Sequence, residues 1–280
     1  MIVDCHTHIR SLDEAEVSEH LAAAETVDAC VVLATPDGSR DEMNRILGQY
    51  VGRHADRMVG FGIVDPTEDR IDDRRLAELT ETLGFKGFIL YCSMSGFHPT
   101  HSRAMRFYEA VQEMGMPIFF HNGSHSLKAS AILEYTQPYL LDEVARAFPR
   151  LRIIIGNMGV PFVEQTLSMV GKHERVYADL TIRPSKVWQT YNIVVAAHER
   201  GVMDKLLFGS GFPLSSADEC IETLLGFNML LSDTKLPTVP RGSIRNVIER
   251  DSLELLGIEH EQIRPPERKP QTSLPARQSD

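Results

Sequence analysis

Cysteine is scarce in this sequence, no two cysteines form a Cys-x-x-Cys pair, and no apolar run is long enough to cross a membrane. Four cysteines, Cys5, Cys30, Cys92 and Cys220, are scattered over 280 residues. That spacing argues against disulfides. With no leader ahead of the first apolar segment, the four read as reduced thiols of a cytoplasmic protein. No stretch approaches the roughly 18 consecutive apolar residues of a membrane span, so no membrane partner is expected. Positive charge is also in deficit. Lys and Arg number 29 against 39 Asp and Glu, a net charge of −10, which argues against binding nucleic acid through its phosphate backbone. An anionic ligand would have to meet a local positive site. Gly-x-Gly-x-x-Gly and Walker phosphate loops are missing too, which removes the usual ligands of an open doubly wound sheet.

What the sequence does have is an alternation of short β-branched runs with longer amphipathic stretches. Strands are predicted at Ile2–Cys5, Ala29–Ala34, Met58–Val64, Lys86–Tyr91, Met116–His121, Arg152–Asn157, Val176–Leu180 and Leu206–Ser210. Helices are predicted at Asp13–Glu25, Asp41–His54, Asp72–Leu83, Ser102–Met114, Leu140–Phe148, Phe162–His173, Trp188–Arg200 and Ala217–Leu231. Asp41 and Ser102 suit N-caps, and Pro161 suits a first helical turn. Eight β–α units with parallel strands and right-handed crossovers close a barrel, so the expected fold is an α/β (β/α)8 TIM barrel. Apolar residues of Val239–Gly257 fall near helical spacing, which adds one or two C-terminal helices outside it. The barrel is assigned to residues 1–258. Residues 259–280 form a flexible tail, rich in Pro and charge beyond Ile263 and too poor in apolar side chains to repay ordering.

His6 and His8, in Asp4-Cys-His-Thr-His8, lie at the end of the first strand. Side chains at i and i+2 of a strand project to one face, so both imidazoles can reach a single ion. Residues at the carboxyl ends of barrel strands converge on one face, which brings His121 from strand five toward the same point. Three imidazoles with an open coordination position form a site that acidifies water or polarises a carbonyl. Tyr91, Asn157, Asp179 and the Ser210-Gly211 pair close other strands on that face.

The ordered segments resemble the metal-dependent amidohydrolase superfamily, in the branch that contains aminocarboxymuconate-semialdehyde decarboxylase, benzoate-type decarboxylases and pyrone-dicarboxylate lactonase. Asp4-Cys-His-Thr-His8 is similar to the opening Asp-x-His-x-His. Gly115 to His121, Phe148 to Gly159, Val176 to Leu180 and Leu206 to Pro213 are similar to the segments of strands five to eight. The resemblance implies a barrel enzyme with a divalent metal, Zn or Mn, held by His6, His8 and His121, a small-molecule substrate such as a carboxylate, and barrels that pair as homo-oligomers. Two positions depart from the pattern. Asn157 stands where the family usually has a strand-six His, and Gly211 where it usually has a strand-eight Asp. Asn can donate to an oxyanion but exchanges no proton near pH 7, and Gly does neither.

Three functions are compatible with these residues. In a divergent hydrolase, Asn157 steadies an oxyanion, Asp179 or His125 takes up the proton work, and esters or lactones are favoured over amides because their leaving groups need less help. In a decarboxylase or other lyase of an unsaturated or aromatic acid, Arg10 and Arg183 clamp the carboxylate, Arg183 being the one more readily explained as a solvated loop residue. A barrel that has lost catalysis would serve as a binding protein. Tyr91 is a candidate donor to a substrate oxygen, and Asp4 a support for the rim or an imidazole N–H.

Overall fold

Buried on both faces, the strands read as near-continuous apolar runs, such as Ile153-Ile-Ile155 and Ala29-Cys-Val-Val-Leu33, the pattern of a parallel sheet covered by helices. The computed structural model describes residues 1–121 and 129–263. Its strands are β1 (Val3–His8), β2 (Ala29–Leu33), β3 (Met58–Ile63), β4 (Gly87–Leu90), β5 (Pro117–Phe120), β6 (Arg152–Ile155), β7 (Val176–Thr181) and β8 (Leu206–Gly209). They form one 8-stranded sheet in sequential order, each strand parallel to the next. β8 returns beside β1: Gly211 N–H donates to His6 O at 2.8 Å and His8 N–H to Phe212 O at 3.1 Å. Asp4 reinforces this seam, its Oδ1 accepting from Ser210 N–H at 2.9 Å and His6 N–H at 3.1 Å. The chain is a (β/α)8 TIM barrel.

The helices are α1 (Glu14–Ala23), α2 (Arg40–Arg53), α3 (Asp73–Ala77), α4 (Cys92–Ser95), α5 (Ser102–Glu113), α6 (Leu141–Ala147), α7 (Val163–Lys172), α8 (Val187–Glu199), α9 (Ala217–Gly226), α10 (Arg241–Ile248) and α11 (Ser252–Leu255). α10 packs on α9 and β8, and α11 on β1, burying Ile244, Val247, Ile248 and Leu253 against the barrel's outer wall. Each such side chain contributes roughly 1.5–3 kcal/mol.

Several predicted boundaries move. β1 runs through His8 because Thr7 and His8 still pair with Val32 and Leu33, so the histidines belong to the strand itself. The cap of α2 is Ser39, whose side chain accepts from Glu42 N–H, and that of α5 is His101, which accepts from Arg103 N–H; Asp41 and Ser102 lie inside their helices. Pro161 sits in the turn before α7, whose N-cap is Phe162. β6 stops at Ile155, and Asn157 falls in the tight turn that follows. The tail beyond Ile263 lies outside the described residues.

Candidate metal centre

The register of β1 against β2 slips between Asp4 and Thr7, where three steps along β1 match two along β2. Such a bulge re-aims side chains, and bulges concentrate near active sites. Here it lies directly under the histidine pair. Beneath them, the Phe119 ring meets His6 edge to face at 5.2 Å, so the polar site rests on the apolar barrel interior.

His6 Nε2 and His8 Nε2 are 3.0 Å apart. His6 Nδ1 lies 2.6 Å from Asp179 Oδ2, and His8 Nδ1 2.9 Å from Leu33 O. Each Nδ1 faces an acceptor and therefore carries the ring proton, which leaves two Nε2 lone pairs pointed at each other. Those lone pairs repel unless a cation stands between them. His121 follows β5, its N–H donating to Leu90 O at 2.9 Å. It brings a third nitrogen, so that one ligand atom from each of His6, His8 and His121 lies within 4.8 Å of the others. Burial and the neighbouring His6 hold His8 at about 3, and burial with both partner rings holds His121 well below the usual histidine range. His8 and His121 are therefore neutral near pH 7, the form that binds a metal, and with the His6 Nε2 lone pair beside them the trio fits a divalent ion.

The trio forms the floor of a cavity of about 470 Å3 at the carboxyl ends of the strands. Asn157 lines it from a turn in which Asn157 and Met158 adopt left-handed φ of 50° and 51°. Arg10, Asp37 and Arg183 bring charge to its walls, and Met94 and Leu214 supply apolar surface. Arg183 is half-buried, its pKa held below the ordinary arginine value by burial, and among the described residues no carboxylate pairs with it. Arg10 is exposed, with Nε 3.6 Å from Glu16 Oε1. The arginine more readily explained as a solvated loop residue is thus the desolvated one.

Tyr91 is placed differently from expectation. Its hydroxyl donates to Ala34 O at 2.9 Å, and its ring lies 4.7 Å from that of His121, so it seats a histidine and has no proton left for substrate. Asp179 is fully buried and absent from the cavity wall; its Oδ2 accepts from His6 Nδ1–H, from Thr181 Oγ1 at 2.6 Å and from Asn157 N–H at 2.9 Å. Direct proton exchange with a substrate is closed to it. Asp4 binds backbone N–H groups at the barrel seam and, among the described residues, no imidazole. His125 lies outside the described residues. Thr181 was not singled out from the sequence, although its i+2 spacing from Asp179 on β7 puts both on one face.

A comparison with curated proteins gives no significant match. Among solved structures, the chain is similar to a probable 2-pyrone-4,6-dicarboxylic acid hydrolase from Acinetobacter baumannii with citric acid bound, at 17% identity over 92% of this chain and 99% of that one, with a TM-score of 0.66. It is also similar to 2,6-dihydroxybenzoate decarboxylase from Rhizobium, at 15% identity over 91% and 98% of the two chains, TM-score 0.60. A third is 5-carboxyvanillate decarboxylase from Novosphingobium aromaticivorans with bound manganese, at 13% identity over 92% and 97%, TM-score 0.62. At these identities the likeness establishes the barrel fold. The amidohydrolase family model matches residues 3–235, and with that span of the barrel covered the chain belongs to the amidohydrolase family.

Proposed function

We propose that this barrel is a metal-dependent hydrolase that opens small esters or lactones carrying a carboxylate. The observation that carries the reading is the pair of Nε2 lone pairs 3.0 Å apart, with His121 beside them, at the floor of a cavity large enough for a small molecule. A zinc or manganese ion held by His6, His8 and His121 would supply Lewis-acid polarisation of an oxygen and acidification of water. The arrangement of the chain's own groups does the rest. Arg183, desolvated and without a carboxylate partner among the described residues, is placed to take a substrate carboxylate bidentately. Asn157, on the same wall, can donate its amide N–H to an oxygen that gains negative charge. Met94 and Leu214 can cover the apolar part of the ligand and thin the water around it.

The preference for esters and lactones follows from what the cavity lacks. Apart from the trio, its titratable groups among the described residues are Arg10, Arg183, exposed Asp37 and Tyr91, whose proton is committed to Ala34. None is a poised acid for an amine leaving group. An enol or aryl lactone, or an activated ester, releases a stabilised oxyanion and does not need one.

Decarboxylation of an unsaturated acid is the second reading. It is favoured by the same Arg183, and two of the structural neighbours described above carry that activity in their names. One experiment separates the readings. Protein from zinc- and manganese-supplemented growth is assayed for metal content, then offered dicarboxylate lactones, uncharged esters and hydroxybenzoates, with acid release and CO2 release followed separately. Stoichiometric metal with lactone opening supports the hydrolase, and CO2 release from hydroxybenzoates replaces it with the lyase. Metal-free, inactive protein would leave a binding scaffold.

A further inference from the structure

We propose that Asp179 and Thr181 form a positioning unit that locks the His6 ring in the tautomer with its proton on Nδ1, and that Gly209 is small to let this unit reach the ring. The proposal rests on the metal reading above and adds to it the residues that aim one of the three donors.

The geometry excludes a plainer role for Asp179. The carboxylate lies on the Nδ1 side of His6, away from the Nε2 that faces His8, so it is no fourth ligand. Its Oδ2 takes three donors at once: the His6 ring, the Thr181 hydroxyl and the Asn157 N–H. Its Oδ1 is buried with no hydrogen-bond partner among the described residues. An unpaired buried acceptor is a cost to folding, and packing alone gives no reason to keep a carboxylate there. What the arrangement secures is a carboxylate oxygen 2.6 Å from His6 Nδ1. A carboxylate on the far nitrogen fixes ring orientation and raises the basicity of the nitrogen left for an ion.

Thr181 makes the unit rigid. Its Oγ1 donates to Asp179 Oδ2 at 2.6 Å and lies 3.0 Å from His6 Nδ1, so carboxylate, hydroxyl and ring lock one another. β8 leaves room for them. A Cβ at Gly209 would stand 2.4 Å from Asp179 Oδ1 and 2.9 Å from His6 Cβ, displacing both. The unit also governs the opposite wall. The left-handed turn at Asn157 directs its N–H to Asp179 while the residue lines the cavity. A strained conformation of this kind persists where its surroundings over-determine it. One oxygen atom thus aligns a metal-binding histidine and the candidate oxyanion donor.

The test compares the parent with Asp179→Asn, which keeps the shape and replaces the carboxylate by an amide, with Thr181→Val, which removes the hydroxyl, and with Thr181→Ser, which restores it. Two readouts are taken: the histidine 15N spectrum of metal-free protein, which reports the His6 tautomer, and zinc affinity by competition with a chromophoric chelator. Asp179→Asn is expected to lose the fixed Nδ1–H tautomer and to bind zinc about 10- to 100-fold more weakly. Thr181→Val is expected to give a smaller loss, recovered in Thr181→Ser. Where Asp179→Asn does not fold, the Val and Ser pair decides alone. Unchanged tautomer and zinc affinity in the folded variants would overturn the proposal. A parent that holds the His6 tautomer yet takes up no zinc would refute the metal reading while supporting the positioning unit.

Discussion

Thr181 Cγ2 stands 2.6 Å from the point that a Cβ at Gly211 would occupy, and Gly211 has a left-handed φ of +70°. The threonine that braces Asp179 therefore fills the space that a side chain at Gly211 would need. Gly211→Asp is expected to cost about 2–4 kcal/mol, from left-handed backbone strain plus overlap. Thr181→Ala removes the overlap and leaves the strain. A urea-denaturation double-mutant cycle should show the pair relieving each other by about 1 kcal/mol or more. Simple additivity would mean that the loop moves aside at no cost.

Charge in the cavity gives a second expectation. Arg183 is half-buried without a carboxylate partner among the described residues, whereas Arg10 is exposed beside Glu16. Losing a charge-assisted hydrogen bond costs about 1.5–3 kcal/mol, so Arg183→Ala should raise KM for a carboxylate-bearing lactone by roughly 10- to 100-fold. It should leave an uncharged ester nearly unaffected. Arg10→Ala should change the same KM only a few-fold and lose that effect in high salt, as expected of an exposed, screened charge. Equal losses on charged and uncharged substrates would assign Arg183 to the loop's structure.

The sequence displayed the barrel well because parallel strands buried on both faces must be apolar throughout, as Ile153 to Ile155 are. The convergence of His6, His8 and His121 was legible for a related reason: two histidines at i and i+2 share a face, and barrel closure brings strand five to strand one. Finer features were not. α4, of four residues, is below the length at which helical periodicity exists. Ser39 and Asp41 are equally good cap residues on paper, and tertiary packing chose between them. The bond from His6 to Asp179 joins positions 173 apart, and nothing local announces it. The engagement of the Tyr91 hydroxyl by Ala34, and the burial of Arg183 in preference to Arg10, depend on loop paths that no spacing rule encodes.

His20 supplies a test of pH dependence away from the histidine trio. It is fully buried on α1, with Nδ1 2.6 Å from Tyr50 Oη, its ring 4.8 Å from that of Phe212, and Nε2 without a partner among the described residues. Burial, with His54 and Arg57 nearby, brings its pKa down from 6.5 to about 4. In the unfolded chain His20 takes up a proton near pH 6.5, but in the folded protein only near pH 4. Its contribution to stability is therefore complete above pH 6.5 and lost as the pH falls to about 4, a change of about 3 kcal/mol. Buried Asp4, raised to about 6, acts with the opposite sign between about pH 4 and 6, but it is common to parent and variant. Denaturation of metal-free His20→Leu should show a shallower fall in stability from pH 6.5 to 4 than the parent. Parallel curves would mean that His20 protonates in the folded state as it does in the unfolded one.

Metal removal should be visible as stability, independently of any substrate. A ligand that binds only the folded chain stabilises it by RT ln(1 + [L]/Kd), about 4 kcal/mol at a thousandfold excess over Kd. For a chain of this size, about 2–4 °C accompanies each kcal/mol. Zinc added to chelator-stripped protein should accordingly raise Tm by on the order of 10 °C. His121→Ala removes one of the three donors while β5 and its hydrogen bond to Leu90 remain. In that variant the metal-dependent rise should shrink by more than half, while the Tm of the stripped protein moves little, because relief of mutual repulsion among the rings partly offsets the packing lost against Tyr91. An equal zinc-induced rise in parent and variant would place the bound ion somewhere other than at the three histidines.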